Sequence, residues 1–306
     1  MGKIKKNEKS NRSVQSAGEK VSQLIITLCM IIFLLMILIP LFNVVMTSFI
    51  SQAEYARRGA FILIPEEWDF IAYKLLLNSG SNIWNGYMNT IFLVVVGTAC
   101  NMLVTLPMSY VLSKKYLRGR KTVLAMILFT MLFNGGMIPN YLLVNSIGLI
   151  NTRWALIIPG LVSAWNMIIL RNFFYSIPES LEESALLDGA NKLQTLIRVV
   201  IPLSKPAIAT ISLFYAVGHW NSWFNAVLYI NKSKLLPVQN ILRNILSSTS
   251  ALADLDPSAW IELSTPPSTY AMRSATIIVS TLPMLLVYPF IQKYFVKGVM
   301  VGSIKG

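Results

Sequence analysis

The sequence predicts an all-α, polytopic membrane protein with six transmembrane helices. Only 13% of its 306 residues are charged and 55% are apolar, whereas a soluble domain carries about 25% charged residues. Uncharged runs fall at 21–53, 75–113, 122–152, 154–170, 206–231 and 274–292, and about 20 residues of helix cross a hydrocarbon core of ~30 Å. Stretches such as LIITLCMIIFLLMILIPLF (24–42) are also apolar on every side; a helix bordering a soluble core needs a charged outer face. A charge at the centre of an inserted helix costs roughly 2.5–3.5 kcal/mol, so each uncharged gap marks chain that lipid tolerates.

Taken in order, residues 1–20 form a basic tail and 21–85 hold the first span and an outer loop. The first apolar run exceeds the 7–15 residues of a signal-peptide core, and no small-residue cleavage site follows it closely, so it reads as a retained span. Spans are expected near 22–48, 86–112, 122–142, 154–173, 206–229 and 274–295. The fourth run is short, but Arg153 and Arg171 at its ends have side chains long enough to snorkel. Pro65, Trp68, Tyr73 and Trp84 mark the first outer loop, KKYLRGRK (114–121) is a short inner loop, 143–153 is an outer turn, and 230–273 is a polar outer loop. Pro40, Pro107, Gly135, Gly136, Pro139, Pro159, Pro283 and Pro289 lie within spans. In lipid such breakers persist where neighbouring helices or water satisfy the freed backbone, which suggests kinked helices packed around a pathway.

The net charge of +13 is a topology signal rather than a nucleic-acid footprint. With an inside amino terminus, 18 of the 26 Lys and Arg residues fall on the inner side. This obeys the positive-inside rule and puts both termini in the cytoplasm of a cell-membrane protein. Cys29 and Cys100 both lie in expected spans, where disulfides are not expected, and read as small packing residues.

Several chemistries are absent. No Asp or Glu lies within an expected span, which removes the usual equipment of proton- and sodium-coupled carriers. A ligand-coupled secondary carrier for a small solute is therefore the weaker alternative. No phosphate-cradling G-x-x-x-x-G-K-[ST] loop occurs, and a single histidine with two buried cysteines builds neither a metal cluster nor a nucleophile triad. The chain is read as a non-enzyme without a cofactor of its own, and energy for active transport must come from another polypeptide.

The inner segment SIPESLEESALLDGANKLQTLIRVVIPLSKP (176–206) carries the functional signal. Ser176 with Glu179 resembles a capping box, Glu179, Glu182 and Glu183 suit a helix start, and Gly189 suits its end. A second helical stretch is expected over 191–200, with Pro202 and Pro206 resetting the chain before the fifth span. The run Glu183-Ser184-Ala185-Leu186-Leu187-Asp188-Gly189-Ala190, followed by Ile201-Pro202 and Pro206, resembles the EAA motif of binding-protein-dependent ABC importer permeases. That family's pattern is E-A-A-x-x-D-G-A, nine to ten residues, then apolar-x-P-x-x-x-P; Ser184 replaces a common Ala, and Leu196 stands where Phe is frequent.

The resemblance implies the transmembrane domain of a type I ABC importer over 86–296, a cytoplasmic coupling helix near 177–190 and a short tail at 297–306. It further implies that Glu183, Ser184, Ala185, Asp188, Gly189, Ala190, Ile201 and Pro202 form the surface that engages an ATPase. The implied partners are a homologous second permease, two ATP-binding cassette subunits that hold ATP and Mg, and an extracytoplasmic solute-binding protein. FIQKYFVKGVMVGSIKG (290–306) is similar to the carboxyl end of the second permease subunit of maltose-type carbohydrate importers. FNGGMIPNYLLVNSIGLINT (133–152) resembles the branch serving pectin, alginate or aldouronate oligosaccharides. Sugars are recognised by aromatic faces and amides, which makes His219, Trp220, Asn221, Trp223 and Asn225 in the fifth span, and Asn166 beside Trp165 in the fourth, candidate pathway residues. Helix packing and interfacial anchoring use the same residue types.

Overall fold

The computed structural model describes residues 17–59, 61–78, 82–247 and 268–303. Among them every regular element is helical. The basic tail, the SSTS stretch beyond Ser247 and Pro266–Pro267 lie outside the described residues.

The first helix, α1 (Ala17–Thr47), is a 31-residue rod containing Pro40. Its side chains from Val21 to Phe42 are exposed, because only its end touches the rest of the chain. The outer loop then folds into short helices α2 (Gln52–Arg58) and α3 (Ile71–Leu76). Ser51 caps α2 by accepting from the Glu54 N–H at 3.2 Å. Phe49 packs on Trp68, Phe70 and Tyr73 at ring separations of 5.3, 5.3 and 5.1 Å.

The second span is continuous from Asn82 to Ser113: α4 (Asn82–Phe92), a π-turn at Leu93–Gly97, and α5 (Thr98–Ser113). The extra residue of a π-turn is a local bulge of the kind that recurs at functional sites. The remaining middle spans are kinked, as their breakers suggest. The expected span 122–142 ends early: α6 (Arg120–Leu132) gives way to α7 (Met137–Ser146) at a bend of 113°. Gly136 at φ +90° and the Asn134 side chain, which accepts from the Gly136 N–H at 3.0 Å, hold that corner. In the fourth span, 3₁₀ turns at Arg153–Leu156 and Ile158–Gly160 meet α8 (Ala164–Tyr175) at 50°. The fifth, expected over 206–229, is α12 (Lys205–Trp220), interrupted at 221–223 before α13 (Phe224–Tyr229). The last span belongs to α15 (Thr269–Ser303), longer at both ends than the expected 274–295. Counting each bent pair once, the described residues contain up to six helical crossings.

Between the fourth and fifth spans lie α9 (Glu179–Leu187), α10 (Lys192–Thr195), a π-turn at Leu196–Val200 and α11 (Ile201–Leu203). The outer loop before α15 carries α14 (Val238–Ser247), which packs on α4 and α15. Apolar side chains gather in three clusters. One joins the outer loop to α4, α14 and α15 around Ile62, Leu76, Ile83 and Met272. Another joins α5, α8 and α12 to the inner segment around Leu170, Phe174, Val200 and Ile211. The third surrounds Leu93, Ile157 and Tyr229. Lipid tails are as apolar as leucine, so these contacts stabilise through packing rather than through escape from water.

Candidate functional site: an inner lever and a polar seam

The inner lever is built by two local signals. α9 closes in a Schellman motif: Gly189 N–H bonds Leu186 O at 3.1 Å and Ala190 N–H bonds Ala185 O at 3.0 Å. Gly189 sits at φ +85° with nothing within 4 Å of a built Cβ, so backbone geometry alone requires glycine. Immediately afterwards Asn191 starts α10 through a full capping box, Asn191 Oδ1 accepting from Gln194 N–H and Gln194 Oε1 from Asn191 N–H, both at 2.9 Å. The box expected at Ser176 does not form. Pro178 occupies the N-cap of α9, and Ser176 Oγ instead donates to Phe173 O at 2.7 Å, closing α8. The chain then turns, and the helical unit Lys192–Leu203 stands at 86° to Lys205–Trp220.

Two ion pairs tie α9 to the inner end of the second span. Lys114 Nζ pairs with both carboxylate oxygens of Glu182, whose Oε2 also accepts from Tyr110 OH at 3.2 Å; the side chains of Lys114 and Glu182 are 12% and 13% exposed. Lys115 pairs with Glu179 at 3.0 Å in the open. This hydrogen bond, more than any other influence, holds the Lys115 ammonium above its ordinary 10.5, while Arg120 nearby works against it. Between α9 and the loop after α5 remains a cavity of about 120 Å³, lined in part by Tyr110, Tyr116, Glu183 and Leu186.

Of the motif residues, Glu183, Ser184, Asp188, Gly189 and Pro202 are exposed, while Ala185, Ala190 and Ile201 are half-buried. Ile201 packs against the inner apolar cluster. Leu187, at 89% exposure, stands out from the lever, with Leu181, Leu186, Leu193, Ile197 and Leu203 also uncovered. The segment thus exposes carboxylates and large apolar side chains together.

The candidate pathway residues divide. His219 (8% exposed), Trp220 and Asn166 are buried within this chain, Asn225 is half-buried, and Asn221, Trp223 and Trp165 are exposed. His219 belongs to a seam of hydrogen bonds between spans. Its Nε2 lies 2.7 Å from Asn101 Oδ1, whose amide nitrogen donates to Gly160 O and Leu161 O at 2.9 and 2.8 Å. The two carbonyls fix the Asn101 amide orientation, so His219 donates from Nε2. A Cβ on Gly97 would lie 2.5 Å from that nitrogen; the π-turn and its glycine make room for the ring. One turn inward, Tyr215 OH shares a 2.9 Å hydrogen bond with Thr105 Oγ1 and accepts from the Ser163 N–H at 2.9 Å. Ser109 Oγ donates to Met167 O at 3.1 Å. The seam satisfies the backbone groups that the break at Gly160–Ser163 releases in the fourth span. Asn101, Tyr215 and Thr105 were not among the sequence candidates; an asparagine inside an uncharged run, four residues after a glycine, was the available signal.

Outside the seam, Asn221 Nδ2 donates to Val217 O at 3.0 Å, Arg243 lies over the Trp223 ring at 4.7 Å, and Asn240 Nδ2 donates to Trp223 O at 3.0 Å. Near the outer end of the fourth span, Arg153 Nε donates to Asn89 Oδ1 at 2.9 Å and its guanidinium lies 4.9 Å from the Phe92 ring centre. No group of His, Cys, Asp and Glu able to hold a metal occurs among the described residues.

Comparison with known proteins adds lineage to this geometry. Residues 101–301 match the family described as binding-protein-dependent transport system inner membrane component. The polygalacturonan/rhamnogalacturonan transport system permease protein YtcP of Bacillus subtilis (strain 168) is 43% identical over 277 residues, 90% of this chain and 96% of that protein. Protein LplC of the same organism is 42% identical, covering 88% of this chain and 90% of its own length. A crystal structure of a bacterial ABC transporter involved in the import of the acidic polysaccharide alginate aligns with a TM-score of 0.84 at 35% identity, over 92% of this chain and 99% of the matched one. A helical membrane core and this lineage agree: the chain belongs to the family of binding-protein-dependent ABC importer permeases, the transmembrane components of these transporters rather than enzymes.

Proposed function

We propose that this chain is one of two permeases in an ATP-driven importer of oligosaccharides released from acidic polysaccharides of the pectin, alginate or aldouronate type. The observation that carries the reading is the lever: α9 and α10, joined by the Gly189 turn, stand across the axis of α12 and are pinned to the second span by Lys114–Glu182 and Lys115–Glu179. A partner that grips Glu183, Leu187 and Asp188 moves two spans at once. Two ATP-binding cassette subunits supply that grip and hold the nucleotide and its Mg. A homologous permease completes the pathway, and an extracytoplasmic binding protein delivers sugar to the outer loops. Both termini are cytoplasmic in this reading, and alternating access follows from rocking the kinked spans as the ATPases close and reopen.

The chemistry of the cargo supports the same reading. The spans carry no carboxylate to repel a uronate, and the exposed aromatic Trp223 with Arg243 stacked on it offers a sugar face beside a cation. Asn221, Asn225 and Trp223 are the pathway residues of this proposal; Asn166, His219 and Trp220, being buried, act on the pathway through packing. The test is uptake of labelled oligogalacturonide by the complete importer in liposomes. Glu183→Ala and Gly189→Val should abolish uptake while leaving the basal ATPase rate. Uptake that persists in both variants, or that survives deletion of every partner ATPase, would refute the reading.

A further inference from the structure

Around Tyr175, at the inner end of α8, cations converge without enough anions. Arg171, Lys115 and Arg120 lie 5.0, 5.4 and 5.7 Å from the centre of its ring. Lys115 is neutralised by Glu179 and neighbouring Lys114 by Glu182. Among the described residues neither Arg120 nor Arg171 forms an ion pair. Arg171 donates only to neutral groups, Nε to Leu112 O at 3.1 Å and Nη1 to Asn172 Oδ1 at 2.8 Å. Arg120 Nη1 is withdrawn from solvent with no hydrogen-bond partner. Like charges drawn to one ring, one with a shielded and unsatisfied donor, are unfavourable unless an oxyanion lies between them.

A second feature adjoins the first. An open groove of about 420 Å³ with wholly apolar walls runs beside the cations, lined by Pro107, Met108, Val111, Leu112, Leu117 and Val123. Its residues are continuous with the cluster: Leu112 supplies the carbonyl that Arg171 holds, and Leu117 and Val123 flank Arg120 in the chain. α6 beyond Arg120 buries none of its side chains within this chain. Paired guanidinium forks match a phosphate, and a dry groove at membrane depth matches an acyl chain.

We propose that this site holds one anionic phospholipid of the inner leaflet, its phosphate between Arg120 and Arg171 and an acyl chain in the groove between α5 and α6. The proposal uses the inner placement of loop 114–121 but not the identity of the sugar. The lipid braces the loop that Lys114 and Lys115 connect to the lever, which links the composition of the bilayer to the permease's inner surface.

The test is native mass spectrometry of the assembled importer, delipidated and then offered phosphatidylglycerol or phosphatidylcholine. This readout requires no transport, so its failure is distinct from failure of the oligosaccharide reading. The wild type should retain phosphatidylglycerol about fivefold or more over phosphatidylcholine, the preference expected of one or two cations at an anionic surface. Arg120→Gln with Arg171→Gln should bring the two lipids level. Val111→Trp, at an exposed groove position that leaves both cations in place, should lower phosphatidylglycerol retention, and this second variant keeps the test decisive should the double substitution impair assembly. Equal retention by wild type and variants would overturn the proposal. So would displacement of phosphatidylglycerol by inorganic phosphate with no effect of Val111→Trp, which would mark a free-phosphate site. Loss of the partner permease from either variant with lipid still retained would mark the face as a protein contact and also overturn it.

Discussion

Gly189 and the Lys114–Glu182 pair are where single side chains decide most. At φ +85° with open space around it, Gly189 rejects other residues through backbone strain alone, which costs about 1–2 kcal/mol for an ordinary L-residue and less for asparagine. Tryptic cleavage after Lys192 should therefore accelerate in the order Asn, Ala, Val at this position; equal rates for all three would show that the turn does not govern local stability. Lys114 and Glu182 are nearly buried, so removing one partner strands a charge and should destabilise by roughly 3–5 kcal/mol. The exchange Lys114→Glu with Glu182→Lys should recover part of that loss in a thermal-unfolding assay of the purified complex, whereas either single reversal should not. At Gly97 the limit is space: a methyl group there meets the His219 ring at 2.5 Å. Gly97→Ala should therefore destabilise the protein more than Gly189→Ala does, and a concurrent His219→Ala should relieve it.

Among the elements, the caps show how local chemistry sets the lever. Asn191→Ala removes the side-chain acceptor of the box while leaving the backbone N–H that donates to Gln194, and should cost about 1 kcal/mol, measurable as faster hydrogen exchange over 192–200. Ser176→Ala should have little effect on α9, since Ser176 bonds backward into α8. The contact between α9 and the inner loop has a definite pH signature. Glu179 raises the Lys115 ammonium above 10.5; the contribution of a group raised on folding is complete below its ordinary value and fades only as pH climbs through the raised one. A spin label at Leu187 should thus keep its mobility from about pH 7 to about pH 10 and loosen above that window, and Lys115→Gln should loosen it already at neutral pH. Gly136 marks the break after α6, and Pro159 with Gly160 the break in the fourth span, whereas the fifth is interrupted at 221–223 without either residue type; in the fourth span the seam from Asn101 and Tyr215 accepts or supplies the bonds the helix gives up.

At the scale of the whole molecule, α1 stands apart with its apolar side chains uncovered, so its surroundings are lipid or another subunit. Deleting 1–47 should leave the remaining spans inserted while reducing co-purification of the second permease; undiminished co-purification would assign α1 to lipid alone. Which features were legible beforehand follows from the range of the forces involved. Charge exclusion from the hydrocarbon is a property of each segment, so the runs from 21–53 to 274–292 marked where helices cross. Turn and lever chemistry is nearly as local, and Glu183 through Pro202 revealed the inner segment and, by resemblance, the family. The capping box expected at Ser176 did not form because Pro178 takes the N-cap of α9 and the Ser176 hydroxyl bonds back to Phe173 O, closing α8. Gly135, Gly136 and Pro139 signalled a kink within 122–142, but not its size, because the 113° corner depends on what surrounds it as much as on Gly136. The sequence by itself determined that this chain lives in a membrane, near which segments it crosses, and which family it belongs to, since those follow from the solvation of single segments and the spacing of turn residues. Only the tertiary structure decided that His219 faces Asn101, that Lys114 pairs with Glu182, and that two arginines share one tyrosine near an apolar groove. Each of these joins residues far apart in the chain, and their meeting depends on how kinked helices pack rather than on any pattern along one of them.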